Sequence, residues 1–328
     1  MAFKKAEPKQ AYLKGGLFGR QGAGKTITSL LWAEGLAKAS GKKIAFVDTD
    51  GGTDLYSRPV PQREFHPEAF EFDALYTKSL SECLKEVKAL DFNVYGVIVV
   101  DSITSMWDAA KLAFEGSKAK NGAIPLHAWD SIKRPYKELI SFLMNCPAHV
   151  FICGREGLET ENIDGTLTPV GAKMKAEGET PYEVNFLVHM KQQKFNDAVD
   201  GLERGDVVAY FEKDRTGIYG GRSVKFPNYE TIKPMVSLLS GTEQRTLESI
   251  DDIIEKDGAL IESARDKKEA LSTSLRLEFM AKLGAAKDQA ELITVWEEIK
   301  TKKTKMYQPD FDLVFAYKEE VKKQHSPI

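Results

Sequence analysis

Cysteine is scarce in this chain. Its three thiols, Cys83, Cys146 and Cys153, show no C-x-x-C spacing, which excludes a disulfide framework and a thiolate zinc site and points to a reducing compartment. Cys146 and Cys153 flank an apolar stretch and read as core filler. The five histidines, at 66, 127, 149, 189 and 325, lack metal spacing such as H-E-x-x-H. No apolar run approaches the roughly 18 residues of a membrane span. Met1-Ala2-Phe3-Lys4-Lys5 has no signal-peptide core, so the expectation is a cytoplasmic protein with no membrane partner. Charge of one sign is missing too: 46 Lys and Arg against 49 Asp and Glu give a net charge of -3. That excludes a globally basic nucleic-acid coat, though not a local cationic groove. There is no internal repeat and no low-complexity tract.

What the chain does have is Gly19-Arg20-Gln21-Gly22-Ala23-Gly24-Lys25-Thr26, a match to G-x-x-x-x-G-K-[ST], the phosphate-binding P-loop or Walker A motif. Glycines let backbone N–H groups curl around an anion. Lys25 is placed to reach the β- and γ-phosphates, and Thr26 to hold Mg²⁺. The context fits: Leu13 to Phe18 reads as a strand, and Thr26 to Lys38 as a helix whose positive end faces the phosphates. Gly19, Gln21, Gly22, Ala23, Gly24, Lys25, Thr26 and Ile27 are the expected nucleotide contacts.

Further along, 42–47 reads as a strand, 51–70 as a loop and 79–90 as a helix. Val94 to Val100 is a nearly unbroken apolar run, as in a parallel strand buried on both faces. Residues 116–126 read as a mobile loop, 129–144 as a helix and 148–153 as a strand. Residues 154–181, rich in charge and glycine, read as a loop, and two more strands cover 184–190 and 206–211. Alternating strands and helices predict an α/β domain with a mainly parallel twisted sheet over residues 1–240. Residues 241–328 show helical spacing with dense mixed charge: Leu292, Val295, Trp296 and Ile299 share one face, and Phe311, Val314 and Phe315 another. They form a helical appendage, as a partner-docking module or a solvated cap. Trp129 and Tyr136 lie on helical spacing and read as core.

Val97-Ile98-Val99-Val100-Asp101-Ser102, an apolar strand ending in an acid, has the Walker B form. Asp101 is the candidate Mg²⁺ ligand, with an N-cap of the next helix as its competing role. Asp50, just beyond a strand taken to lie beside the P-loop, is the candidate base that orients water. Asp48 is the fallback and Asp54 a weaker choice.

These segments, with Phe151-Ile152-Cys153-Gly154-Arg155, stand in the order of RecA-type recombinase cores. Over about residues 1–240 the chain resembles the RecA-like P-loop ATPases of bacteriophages, some of which act in single-strand annealing or recombination. The resemblance rests on Phe3-Lys4-Lys5-Ala6, the P-loop, Val47-Asp48-Thr49-Asp50-Gly51-Gly52, Gly154-Arg155-Glu156-Gly157, Gly171 to Thr180 and Lys213-Asp214-Arg215. It departs at Asp50, where the family usually has glutamate. It implies a RecA-like fold, ATP and Mg²⁺ as ligands, ATP hydrolysis stimulated by DNA, and a ring or filament of like subunits in the bacterial host cytoplasm.

In such a protein Lys213 and Arg215 act in trans on a neighbour's γ-phosphate, the alternative being a charged β-turn. Arg155, Lys173 and Lys175 on the 154–181 loop contact single-stranded DNA, with 116–120 (Lys118) as a first DNA loop. Arg155 alternatively senses the γ-phosphate. Phe3-x-x-Ala6 either hooks a neighbouring protomer or packs as an edge strand. A phage recombination or single-strand-binding protein is a candidate partner. The rival functions are a hexameric helicase-like motor, a nucleotide-gated scaffold with little hydrolysis, and a small-molecule P-loop kinase.

Overall fold

The computed structural model describes residues 11–118, 124, 129–193, 205–239 and 250–324. The Phe3–Ala6 segment, most of 116–126, the Lys118 side chain, His127, His325 and the expected boundary at 240/241 lie outside the described residues. The chain divides into two compact units, Met1–Leu247 and Glu248–Ile328.

In chain order the first unit contains β1 (Lys14–Gly19), α1 (Lys25–Ser40), β2 (Lys43–Asp48), β3 (Asp73–Tyr76), α2 (Leu80–Lys88), β4 (Tyr95–Asp101), α3 (Ile103–Lys118) and α4 (Trp129–Asn145). There follow β5 (His149–Ile163), β6 (Thr166–Lys175), α5 (Thr180–Glu183), β7 (Phe186–Gln192), β8 (Val207–Asp214), β9 (Ser223–Lys225) and α6 (Tyr229–Leu238). The strands form one sheet in the order β3-β2-β4-β5-β1-β7-β8-β9, with β6 paired to β5. The run from β3 to β7 is parallel, and β8, β9 and β6 are added antiparallel.

The period-two alternation of strands explains the unbroken apolar run of β4. Ile98 and Val100 enter the core made with Cys83 and Val87 of α2, Met106 of α3 and Tyr136 and Leu139 of α4. Val97 and Val99 enter the opposite core, with Leu30, Trp32 and Ala33 of α1 and Ile232 and Met235 of α6. Helices therefore cover both faces, and the ends of the parallel strands open together along one edge. Local signals set the helix starts: Ser79 accepts from the Glu82 N–H at α2, and Asn228 forms a capping box with Thr231 at α6.

Two expectations are corrected. Residues 154–181 are not a loop: β5 continues past the sheet and turns back as β6 in a long antiparallel hairpin. Its two-residue turn, Asp164-Gly165, has φ of 51° and 82°, as a type I′ turn requires. Nor is β2 beside the P-loop strand, because β5 and β4 stand between β1 and β2.

The second unit is helical among its described residues, with α7 (Ile250–Ala285), α8 (Gln289–Lys302) and α9 (Gln308–Gln324). Leu275, Phe279, Leu283, Leu292, Ile299 and Val314 form its core, Val295, Trp296 and Phe311 pack against it, and Phe315 stays largely exposed. No helix among the described residues is long and apolar enough to cross a membrane.

Candidate nucleotide site

Strand β1 ends at Gly19, and the chain loops through residues 20–24 before entering α1 at Lys25. Gly24 has φ 88°, and a Cβ there would sit 2.8 Å from Val207 Cγ1, so conformation and packing both demand glycine. Helix α1 has no side-chain N-cap bond and no acid in its first turn, which leaves its positive end open to an anion. Lys25 Nζ lies along the loop, donating to the carbonyls of Gly19 (3.0 Å) and Arg20 (2.9 Å). Gln21 and Gly22 line the adjoining cleft of about 830 Å³. Ala23 is buried, and Ile27 packs toward the core beneath α1, so neither side chain faces that cleft.

The Thr26 hydroxyl donates to Asp101 Oδ2 across 75 residues of sequence. Asp101 is thus a partner of the P-loop and not a cap of α3. Desolvation pushes its carboxyl up, against the pull of the Thr26 hydroxyl and the Lys25 ammonium. Among the described residues no cluster of three or more His, Cys, Asp or Glu could hold a metal. One hydroxyl and one carboxylate are nonetheless a fitting donor set for Mg²⁺, which keeps several waters and takes phosphate oxygens.

The fallback base is corrected. Asp48 is buried, and its two oxygens take four donors: the N–H groups of Asp50 (2.9 Å), Gly51 (2.8 Å) and Thr53 (3.0 Å), and the Thr53 hydroxyl (2.6 Å). Burial pushes the carboxyl up, but the Thr53, Asp50 and Gly51 donors outweigh it and hold it below the usual range. Asp48 shapes the 48–53 turn and has no acceptor to spare for water. Asp54 accepts from the Tyr76 hydroxyl (3.0 Å) on the exposed side of that turn.

Asp50 lines the cleft. Its Oδ1 accepts from the Ser105 hydroxyl (2.9 Å), and its Oδ2 pairs with Arg155 Nη2 (3.0 Å), which also reaches Ser105 Oγ (3.1 Å). Ser105 escaped the sequence reading, although it lies one helical turn beyond Asp101. Thr104 beside it accepts from the Arg155 N–H (2.8 Å) and donates to the Lys175 carbonyl, bolting the root of the hairpin to α3. Arg155 thus stands at the nucleotide cleft, Lys175 pairs with Asp108 (2.9 Å), and Lys173 is exposed. Glu156 spans Arg20 of the P-loop (3.0 Å) and buried His189 (2.9 Å), whose ring stacks on Phe18.

Lys213 and Arg215 share one side, as their spacing predicts: Lys213 donates to the Pro181 and Tyr182 carbonyls and Arg215 to that of Tyr182. Because β8 runs antiparallel to β7, the pair lies at the edge where β1 begins, opposite its own P-loop.

The family model for an AAA domain, AAA_24, matches residues 11–223. The chain belongs to this AAA_24 family. As an AAA-domain protein with a P-loop, it is a member of a class of nucleotide-binding, nucleotide-hydrolysing proteins that as a rule use Mg²⁺. No curated protein matches the chain. Among solved structures, it is similar to the crystal structure of a KaiC-like protein, PH0186, from the hyperthermophilic archaeon Pyrococcus horikoshii OT3. That match has 13% identity and a TM-score of 0.43, and covers 66% of this chain and 85% of the other.

Proposed function

We propose that this AAA-domain protein hydrolyses ATP at a site shared between like subunits and couples hydrolysis to the handling of single-stranded DNA, as in phage recombination, annealing or repair. The observation that carries the nucleotide half is the Thr26–Asp101 contact beneath the uncapped end of α1. Lys25 and the loop N–H groups bind phosphate oxygens, and Thr26 and Asp101 hold the metal. Bound Mg²⁺ neutralises charge on the phosphates. Asp50 orients the attacking water and accepts its proton. Arg155 sits against Asp50 at the root of the hairpin, so a change of charge in the cleft bears on both.

One feature supports the shared site. Lys213 and Arg215 cannot serve their own P-loop from the far edge of the sheet, and a cation supplied there by a neighbour stabilises charge developing on the γ-phosphate. Support for DNA binding is narrower: all three candidate cations are exposed, but Arg155 and Lys175 already pair with carboxylates.

The deciding experiment measures ATPase rate with and without single-stranded DNA at several protein concentrations. A specific activity that rises with concentration supports the shared site, and stimulation by DNA supports the polymer. A Mg²⁺-buffered protein that neither binds nor hydrolyses ATP overturns the reading. A second reading, a nucleotide-gated scaffold with little hydrolysis, is favoured by the engagement of Asp50 with Arg155 and Ser105. Assembly on ATP without phosphate release would select it.

A further inference from the structure

A second cavity, of about 430 Å³, adjoins the P-loop on its β7 side, lined by Arg20 and Gln21, by Glu156 at the root of the hairpin, and by His189 and Lys191 of β7. His189 is buried there, and both of its ring nitrogens face acids. Nε2 lies 2.9 Å from Glu156 Oε2, and Nδ1 lies 3.3 Å from Glu212 Oε1 on β8. An ionised carboxylate only accepts, so the two bonds exist together only when both nitrogens carry a proton. A neutral ring would turn a lone pair toward one of the two acids. The surroundings suit the charged form. Two anions offset the desolvation of the buried cation, and Phe18 stacks on the ring at 4.5 Å and 12°, which adds a cation–π attraction. Burial pushes the Glu156 carboxyl up, but the His189 and Arg20 donors outweigh it and hold it below the usual range. Of the other groups around the ring, β8 adds Tyr210 in register with it, and the Lys191 ammonium sits 4.9 Å over that tyrosine. From β6 the cavity takes only the uncharged Gly171 and Ala172.

The row continues into the phosphate loop. Glu156 Oε1 accepts from Arg20 Nε at 3.0 Å. The Arg20 carbonyl in turn accepts from the Ala23 N–H (3.2 Å) and from Lys25 Nζ (2.9 Å). Charge therefore alternates from β8 to the P-loop through Glu212, His189, Glu156 and Arg20. The Arg20 side chain is 72% exposed, and an ion pair so open to water has little strength or direction of its own. Its direction comes from the buried end, where a charged ring pins Glu156 from behind.

We propose that His189 is a positioning residue of the nucleotide site: as an imidazolium held between Glu212 and Glu156, it aims Glu156 at Arg20 and so fixes the first turn of the P-loop for phosphate. This rests on the nucleotide reading of the P-loop and adds to it a dependence on protonation. When the ring gives up its proton, the row loses its central charge and the loop its brace. Nucleotide affinity then falls as pH rises.

The test is equilibrium binding of a fluorescent non-hydrolysable ATP analogue to the full chain with Mg²⁺, from about pH 5.5 to 9.5, a span that brackets histidine titration. The ratio of wild-type to His189→Gln affinity cancels the titration of the phosphates. Glutamine donates a hydrogen bond but carries no charge. Wild type is expected to bind about three- to fivefold more tightly at the acid end, and the advantage is expected to vanish at the alkaline end. Glu212→Gln, on β8 and away from the nucleotide cleft, should move the loss of affinity to lower pH, because it removes an anion that favours the charged ring. The His189 ring signal, followed by NMR without nucleotide, should titrate with the wild-type affinity and shift in the same direction in Glu212→Gln. These two measurements decide the matter even where His189→Gln fails to fold. A ratio that stays constant with pH, or a Glu212→Gln profile that superposes on wild type, would overturn the proposal and leave the nucleotide site standing. A well-folded wild type that binds no analogue at any pH would overturn both.

Discussion

Asp48 and Asp50 are two residues apart and chemically identical, yet they do unlike work. Asp48→Ala would leave the buried Thr53 N–H without its acceptor and release the more exposed N–H groups of Asp50 and Gly51 to water, so a loss of about 1–3 kcal/mol in chemical denaturation is expected, with turnover lost as a consequence of the loosened turn. Asp50→Asn should leave the denaturation midpoint in place and cut kcat about a hundredfold or more. Lys14 gives a second test at this scale. It is buried at the foot of β1, donating to the carbonyls of Leu143 (2.8 Å), Cys146 (2.9 Å) and Ala148 (2.7 Å), and burial lowers its pKa from 10.5 to about 8. The unfolded chain therefore binds the extra proton between about pH 8 and 10.5, and stability rises with pH through that window by as much as about 3 kcal/mol. Urea midpoints of wild type and Lys14→Met should diverge in favour of wild type as pH climbs from 8 to 10.5, and parallel curves would refute the assignment. The P-loop and Asp101 were legible in sequence because their chemistry is written in contiguous letters. The split between Asp48 and Asp50 was not, since it depends on which N–H groups the turn aims at which oxygen.

At the scale of elements, β4 announced itself because burial on both faces removes every polar residue from Val97 to Val100. The hairpin hid for the opposite reason. Both its faces meet solvent over most of their length, so no apolar alternation marks it, and its glycines and acids imitate a loop. Asp164-Gly165 between Thr- and Ile-bearing runs was the available signal, since few residues other than Gly, Asn and Asp tolerate two consecutive positive φ angles. Gly165→Val places a β-branched side chain at φ 82° and should weaken the hairpin locally by about 1–2 kcal/mol. Amide exchange from 158 to 172 should quicken while exchange in β1 and β4 stays unchanged. Equal quickening throughout would mean that the hairpin is part of the global folding unit.

For the whole molecule, alternating elements were enough to predict a doubly covered parallel sheet, but strand order was beyond reach because it is fixed by which helix packs on which face, a contact among distant residues. That order has a consequence for catalysis. With β1 and β7 parallel and β8 reversed, the phosphate cradle and the Lys213–Arg215 pair stand at opposite edges, and under the proposed function the catalytic unit is assembled from two chains. Lys25→Ala removes the cradle's cation and Arg215→Ala the cation offered to the neighbour, and each alone should lower turnover about a thousandfold. Mixed in equal amounts, the two inactive proteins should recover about a quarter of wild-type activity, because one random head-to-tail interface in four joins an intact cradle to an intact Arg215. Arg215→Ala should also retain ATP affinity, which a misfolded variant would lose. A mixture no more active than its components would show that each chain completes its own site, and the arrangement of the two edges would then need a purpose other than catalysis.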